Sequence, residues 1–89
     1  MWEFNVYDFG ESNLGQIKSV QIRYQGNQEL NQSNFGISCG CIQSSYNAAN
    51  KTLTAYLNMD RLGDKASTIF VNYPNGQQEL ITLKATVKQ

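Results

Sequence analysis

The chain contains no histidine, a single proline and only two cysteines among its 89 residues. Without histidine, no serine or cysteine has the usual imidazole base to activate it as a nucleophile. A zinc centre is disfavoured for a related reason, since two thiols are not four ligands. Charge is equally scarce: seven basic residues balance seven acidic ones. Lys18, Arg23, Lys51, Arg61, Lys65, Lys84 and Lys88 are strewn along the chain, so no basic face for nucleic acid is expected. No apolar run approaches a membrane span, and the opening "MWEFNVYDFG" lacks the cationic start and apolar stretch of a signal peptide. If Met1 is the native start, the protein is expected to be made and kept in the cytoplasm, where thiols stay reduced. No catalytic residue, cofactor or metal is expected, and neither nucleic acid nor membrane as a partner.

Amides take the place of charge, with ten Asn and nine Gln. Such a weakly charged surface repels neighbours little and suits packing into assemblies, although a compositional bias of the host explains it equally well. Helical periodicity is missing as well. Alternation of period two runs instead through "WEFNV", "QIKSVQIRY", "TLTAYLNMD", "ASTIFVNY" and "ELITLKATV", and places Ile69, Val71 and Tyr73 on one face of their strand. Asn75-Gly76 is the clearest hairpin signal, and Pro74 beside it stands at a strand end, where its missing N–H costs nothing. Six or seven short strands over residues 1–89 predict one domain, an immunoglobulin-like, mostly antiparallel β-sandwich.

The two cysteines lie in "FGISCGCI". A reactive dithiol, half a metal site and a piece of buried strand are the three readings. If Phe35–Ile42 is one strand, then Phe35, Ile37, Cys39 and Cys41 share a face, and the sulfurs join an apolar row as small hydrophobes. Alternate residues of a strand stand ~6.6 Å apart with nearly parallel side chains, which is poor geometry for a disulfide. The expectation is therefore that Cys39 and Cys41 are structural core thiols. Gly40 between them suggests backbone crowding or a bulge.

Tyr7-Asp8-Phe9-Gly10, the strand ending near Gly26, Leu30, and Ser38-Cys39-Gly40-Cys41 follow one another in an order that resembles a bacterial immunoglobulin-like family of unknown function. Its pattern is "DFG … N-x-G … L … SCGCT", and it is related to the ASPM/SPD-2/Hydin domains. The resemblance runs from about Tyr7 to Val87 and implies a seven-stranded sandwich with a binding or scaffolding role and no catalytic residues. Two positions depart from the pattern: Ile42 stands where the family has a small polar residue, and "NAANK" replaces a proline–glycine turn. Members of the family are often exported, whereas no leader is expected here from the opening residues.

The carboxylates fall in turns and on polar faces. Asp60 and Asp64 flank "RLG", where a solvated turn explains them better than a weak cation site. Tyr7, Tyr46 and Tyr56 are candidate protein contacts, because surface rings bury much area at little entropic cost. For Tyr56 a place in the core is an equal reading, and Trp2 is read as core. These features lead us to expect a non-enzymatic protein-binding module. An auxiliary or capsid-decoration component of a bacteriophage virion fits best, present in multiple copies against the major capsid protein or another virion protein and assembled in the bacterial cytoplasm. The alternatives are a bacterial thiol protein that uses Cys39 and Cys41 for redox or metal binding, and one domain of a longer adhesin-like protein.

Overall fold

A computed structural model describes residues 2–89, and Met1 lies outside the described residues. Among the described residues seven strands form: β1 (Val6–Asn13), β2 (Ile17–Arg23), β3 (Phe35–Ile37), β4 (Ile42–Asn47), β5 (Thr52–Asn58), β6 (Gly63–Asn72) and β7 (Gln78–Lys88). They pair into a four-stranded sheet, β1-β7-β6-β3, and a three-stranded sheet, β2-β5-β4. This is the immunoglobulin-like sandwich that the alternation predicts. The inner faces supply the core: Ile22, Leu53, Leu57, Met59, Ile69, Val71, Ile81 and Leu83 are fully enclosed.

All strand pairings are antiparallel except β1 with β7, which is parallel. Parallel neighbours in sequence need a long crossover. Here the first and last strands of the domain meet, so the second sheet itself provides the connection. Before β1 the chain serves the other sheet. Trp2 pairs with Tyr24 beyond the end of β2, and the Glu3 N–H donates to the Arg23 carbonyl at 3.0 Å. Glu3 to Asn5 then carries the chain across to β7. This bend overturns the single strand expected through "WEFNV": Trp2 is buried and Phe4 packs on the core, yet Val6 is 55% exposed.

"DFG" is a bulge. The β1–β7 register shifts between Asp8 and Glu11, Gly10 takes φ 73°, and the Asp8 carboxylate accepts the Gly10 N–H at 2.8 Å. The extra residue re-aims β1, so that Ser12, not an outward neighbour, faces inward. The "PNG" hairpin closes as a three-residue loop, with Tyr73 and Gln77 paired across it and only Gly76 at positive φ, 89°. In the "NAANK" turn the positive φ falls on Lys51 at 55°. Its carbonyl accepts the Tyr24 N–H at 2.8 Å and its Nζ donates to the Gly26 carbonyl at 3.2 Å, which hold it there.

The weak stretch between β2 and β4 contains one 3-10 turn, Gln32–Asn34. Asn31 caps it by accepting the Ser33 N–H, and the Asn34 side chain returns the favour to the Asn31 N–H. Leu30 ahead of it is buried at 4% exposure and anchors this otherwise polar run.

Candidate functional site

The expected continuous strand Phe35–Ile42 does not exist. Its first part, β3, belongs to the four-stranded sheet, and its continuation, β4, belongs to the other. Ser38–Cys41 is the bend that carries the chain between the layers. Both ends of this bend are fastened. The Ser38 N–H donates to the Thr68 carbonyl and the Thr68 N–H donates to Ser38 Oγ, each at 3.0 Å, so a side chain finishes the ladder that β3 abandons. On the far side the Cys41 carbonyl accepts the Asn58 N–H at 2.7 Å.

Bending the backbone brings the Cys39 and Cys41 Cα atoms to 5.3 Å, and the two sulfurs are joined as a disulfide. This corrects the expectation of free core thiols on two counts. The pleated spacing that made a bridge implausible applies to a strand, and these residues are not in one. The sulfurs are also only part-buried, since a crossing segment lies at the end of the sandwich rather than between its sheets: Cys39 packs against the core margin, and Cys41 is half-buried. With both sulfurs in the bridge, neither is a thiolate ligand while it stays closed.

The surroundings are polar. Ser67 Oγ lies 3.2 Å from Cys41 Sγ and 3.5 Å from Cys39 Sγ, and the Cys41 N–H donates to Cys39 Sγ at 3.3 Å. Lys65, two residues before Ser67 on β6, is 4% exposed and donates to Asp60 Oδ1 at 2.6 Å. That bond holds the Asp60 carboxyl below the usual carboxylate range. Ser38, Cys41, Asp60, Arg61, Lys65 and Ser67 line one open cleft of about 490 Å³. A second cleft of about 320 Å³, lined by Ile17, Gln43, Tyr56 and Asn58, also reaches Gly40 and Cys41. The bridge thus stands between two hollows.

Lys65 and Ser67 were legible in the sequence and missed. They share parity with Ile69, Val71 and Tyr73, so extending that alternation backwards places both on the inner face of β6, as observed. The turn carboxylates do not gather into a site: Asp60 is paired with Lys65, and Asp64 accepts from Thr86 Oγ1 at 3.3 Å. Among the described residues no group of three or more Cys, Asp or Glu side chains is arranged to hold a metal ion.

The tyrosines separate. Tyr46 is half-buried, tilted against Phe35 at 5.1 Å and edge-on to Trp2 at 6.1 Å, and burial with help from Tyr24 pushes its phenol up. It belongs to the core margin and is not a free contact residue. Tyr7 is 38% exposed at the edge strand β1, between Phe4 and Phe9 at ring distances of 5.6 and 5.0 Å. Tyr56 is 39% exposed on the outer face of the three-stranded sheet, above the second cleft, and is not core. Trp2 is buried at 5% exposure, as read.

A surface feature that the sequence reading passed over lies on the outer face of the four-stranded sheet. Leu80 stands opposite Phe70, which in turn stands opposite Gly36. A Cβ on Gly36 would meet the Phe70 ring at 3.7 Å, so the ring lies over the glycine. Val6, paired with Thr82, extends this apolar strip towards β1, and Val6 and Leu80 are 55% and 50% exposed. No protein-family model matches the chain, and no curated protein or solved structure matches it either.

Proposed function

We propose that the domain is a non-enzymatic protein-binding module, an auxiliary or decoration component of a bacteriophage virion that docks in many copies on the capsid or another virion protein. The observation that carries this reading is the uncharged strip of Val6, Leu80 and Phe70 on the outer face of the four-stranded sheet. Contiguous exposed apolar side chains on a small domain commonly mark a protein contact. The amide-rich surface and zero net charge suit close packing among copies. The closed Cys39–Cys41 bridge is compatible with a virion surface, one of the settings where disulfides persist. The resemblance of Ser38–Cys41 and Asp8–Gly10 to the bacterial immunoglobulin-like family of unknown function, which implies a binding or scaffolding role, points the same way.

The test is recovery. Purified particles should contain the protein in fixed stoichiometry, and particles lacking it should bind added protein saturably. Leu80→Asp should weaken that binding by about tenfold or more, because burying a leucine contributes about 1.5–3 kcal/mol. Absence from purified particles, with all the protein recovered as a free monomer, overturns the reading. Recovery within a longer surface protein assigns the domain to an adhesin-like chain instead.

A further inference from the structure

We propose that the Cys39–Cys41 bridge is an exchangeable disulfide, a site at which an external thiol attacks Cys41 Sγ and Cys39 departs as a stabilised thiolate. The inference is independent of virion docking, since it uses the opposite end of the molecule's chemistry and needs no protein surface.

Three observations carry it. First, the bridge is a poor structural crosslink. It closes a ring over a sequence separation of two, and chain-entropy stabilisation is smallest for the shortest loops. The bend does not depend on it either, because hydrogen bonds to Thr68 on one side and Asn58 on the other already fasten its ends. Second, the bridge is reachable. Cys41 lines both clefts, whereas Cys39 lines only one and packs against the core margin. Third, the two sulfurs are unequally supported. Cys39 Sγ accepts the Cys41 N–H at 3.3 Å, a donor directed at that sulfur, while the Ser67 hydroxyl stands within reach of both sulfurs, 3.5 Å from Cys39 and 3.2 Å from Cys41, and can turn to whichever gains negative charge. Arg61 and Lys65 against Asp60 leave the first cleft with one net positive charge, which favours both an incoming and a departing thiolate.

The chemistry balances without a cofactor. An external thiol loses its proton to solvent, and the thiolate forms a bond to Cys41 Sγ as the Cys41–Cys39 bond breaks. Cys39 Sγ takes the electron pair and is held by the Cys41 N–H and the Ser67 O–H. A second external thiolate then attacks the external sulfur of the mixed disulfide. Cys41 leaves as a thiolate, and the two external thiols depart joined, oxidised by two electrons as the protein is reduced by two. The reverse sequence reoxidises the pair. The substrate class is a thiol, either a small one or a protein cysteine.

The experiment titrates the native, oxidised protein in glutathione buffers of graded ratio. The mixture is quenched with acid, alkylated and counted by mass, while Trp2 fluorescence reports the fold. We expect the bridge to open fully with the fold intact. Cys39→Ser should capture one glutathione on Cys41 about tenfold faster than Cys41→Ser captures one on Cys39. Ser67→Ala should slow opening of the wild-type bridge about fivefold, with its thermal midpoint nearly unchanged, a pattern that a merely structural hydroxyl would not give. A cysteine-containing peptide run in parallel identifies the source: faster reaction than glutathione assigns a protein cysteine, and equal or slower reaction a small thiol. A bridge that stays closed under reductant excess until the protein unfolds overturns the proposal, as does equal capture at the two cysteines.

Discussion

The two ends of the sandwich are built on opposite principles. Along the inner face of β6, Tyr73 just past one end and Lys65 near the other are eight residues apart, or roughly 26 Å of strand. At the Tyr73 end, aromatic rings close the gap between the sheets. Trp2 stacks on Tyr24 at 5.0 Å and meets Phe35 edge-on at 6.0 Å, and its Nε1–H donates to the Tyr73 hydroxyl at 3.0 Å. Tyr73 donates in turn to Glu79, which also accepts from Asn5 at 3.1 Å. Gly26 is obligatory there, since a Cβ would sit 2.3 Å from the Tyr24 hydroxyl. At the Lys65 end the space between the sheets is closed by a disulfide, a serine and an ion pair, with clefts on both sides. One end excludes water and fixes the fold, and the other admits water and leaves reactive groups within reach. Stability and chemistry thus occupy different ends of one domain.

Substitutions at the two ends should differ most in stability. Trp2→Ala removes a buried ring, leaves a cavity and strips the Tyr73 hydroxyl of a donor, so it should cost about 3–5 kcal/mol in urea or guanidinium unfolding. A loss below ~1 kcal/mol would mean that the aromatic end does not hold the fold together.

Acid should act on the aromatic end next. Burial pushes the Glu79 carboxyl up, but its favourable partners, the hydrogen bonds from Tyr73 and Asn5 among them, outweigh it and leave it below its ordinary value. A carboxyl lowered in the folded state contributes stability that is fully present above its unfolded pKa, near 4.3, and is lost as pH falls through the lower folded value. The thermal midpoint should therefore drop on acidification below about pH 5, and Glu79→Gln should flatten that slope at a cost of about 1 kcal/mol at neutral pH. Asp60 is shifted the same way by Lys65, so a shallower slope should remain in the variant. An unchanged acid slope in Glu79→Gln would remove Glu79 from the account.

The bridge, too, should weigh far less than the aromatic end. Replacing both cysteines with serine should cost no more than about 2 kcal/mol, the entropic worth of so short a loop, and far less than Trp2→Ala. A loss equal to that of Trp2→Ala would erase the contrast between the two ends and make the bridge a structural one.

Alternation made the strands readable because each half-buried strand writes its inner face into every second residue. Leu53, Ala55 and Leu57 share one face, and Ile81, Leu83, Ala85 and Val87 share another, as their burial confirms. Asn75-Gly76 announced its hairpin. The alternation failed where the chain changes layers. Period two names a face but not a sheet, so "FGISCGCI" and "WEFNV" each read as one strand although each leaves one sheet for the other. The candidate site sits in the first of these crossings, which is why its disulfide was misjudged from strand geometry.

The sequence alone determined the class of fold, the residues of its core and the absence of histidine-based chemistry, since these depend on composition and on contacts that repeat every two residues. The tertiary structure decided which sheet each strand joins, the parallel meeting of β1 with β7, and the partners of Cys39 and Cys41. Those depend on segments tens of residues apart. Ser67 reaches the sulfurs, and Glu79 meets Asn5, only because two layers close around a shared core.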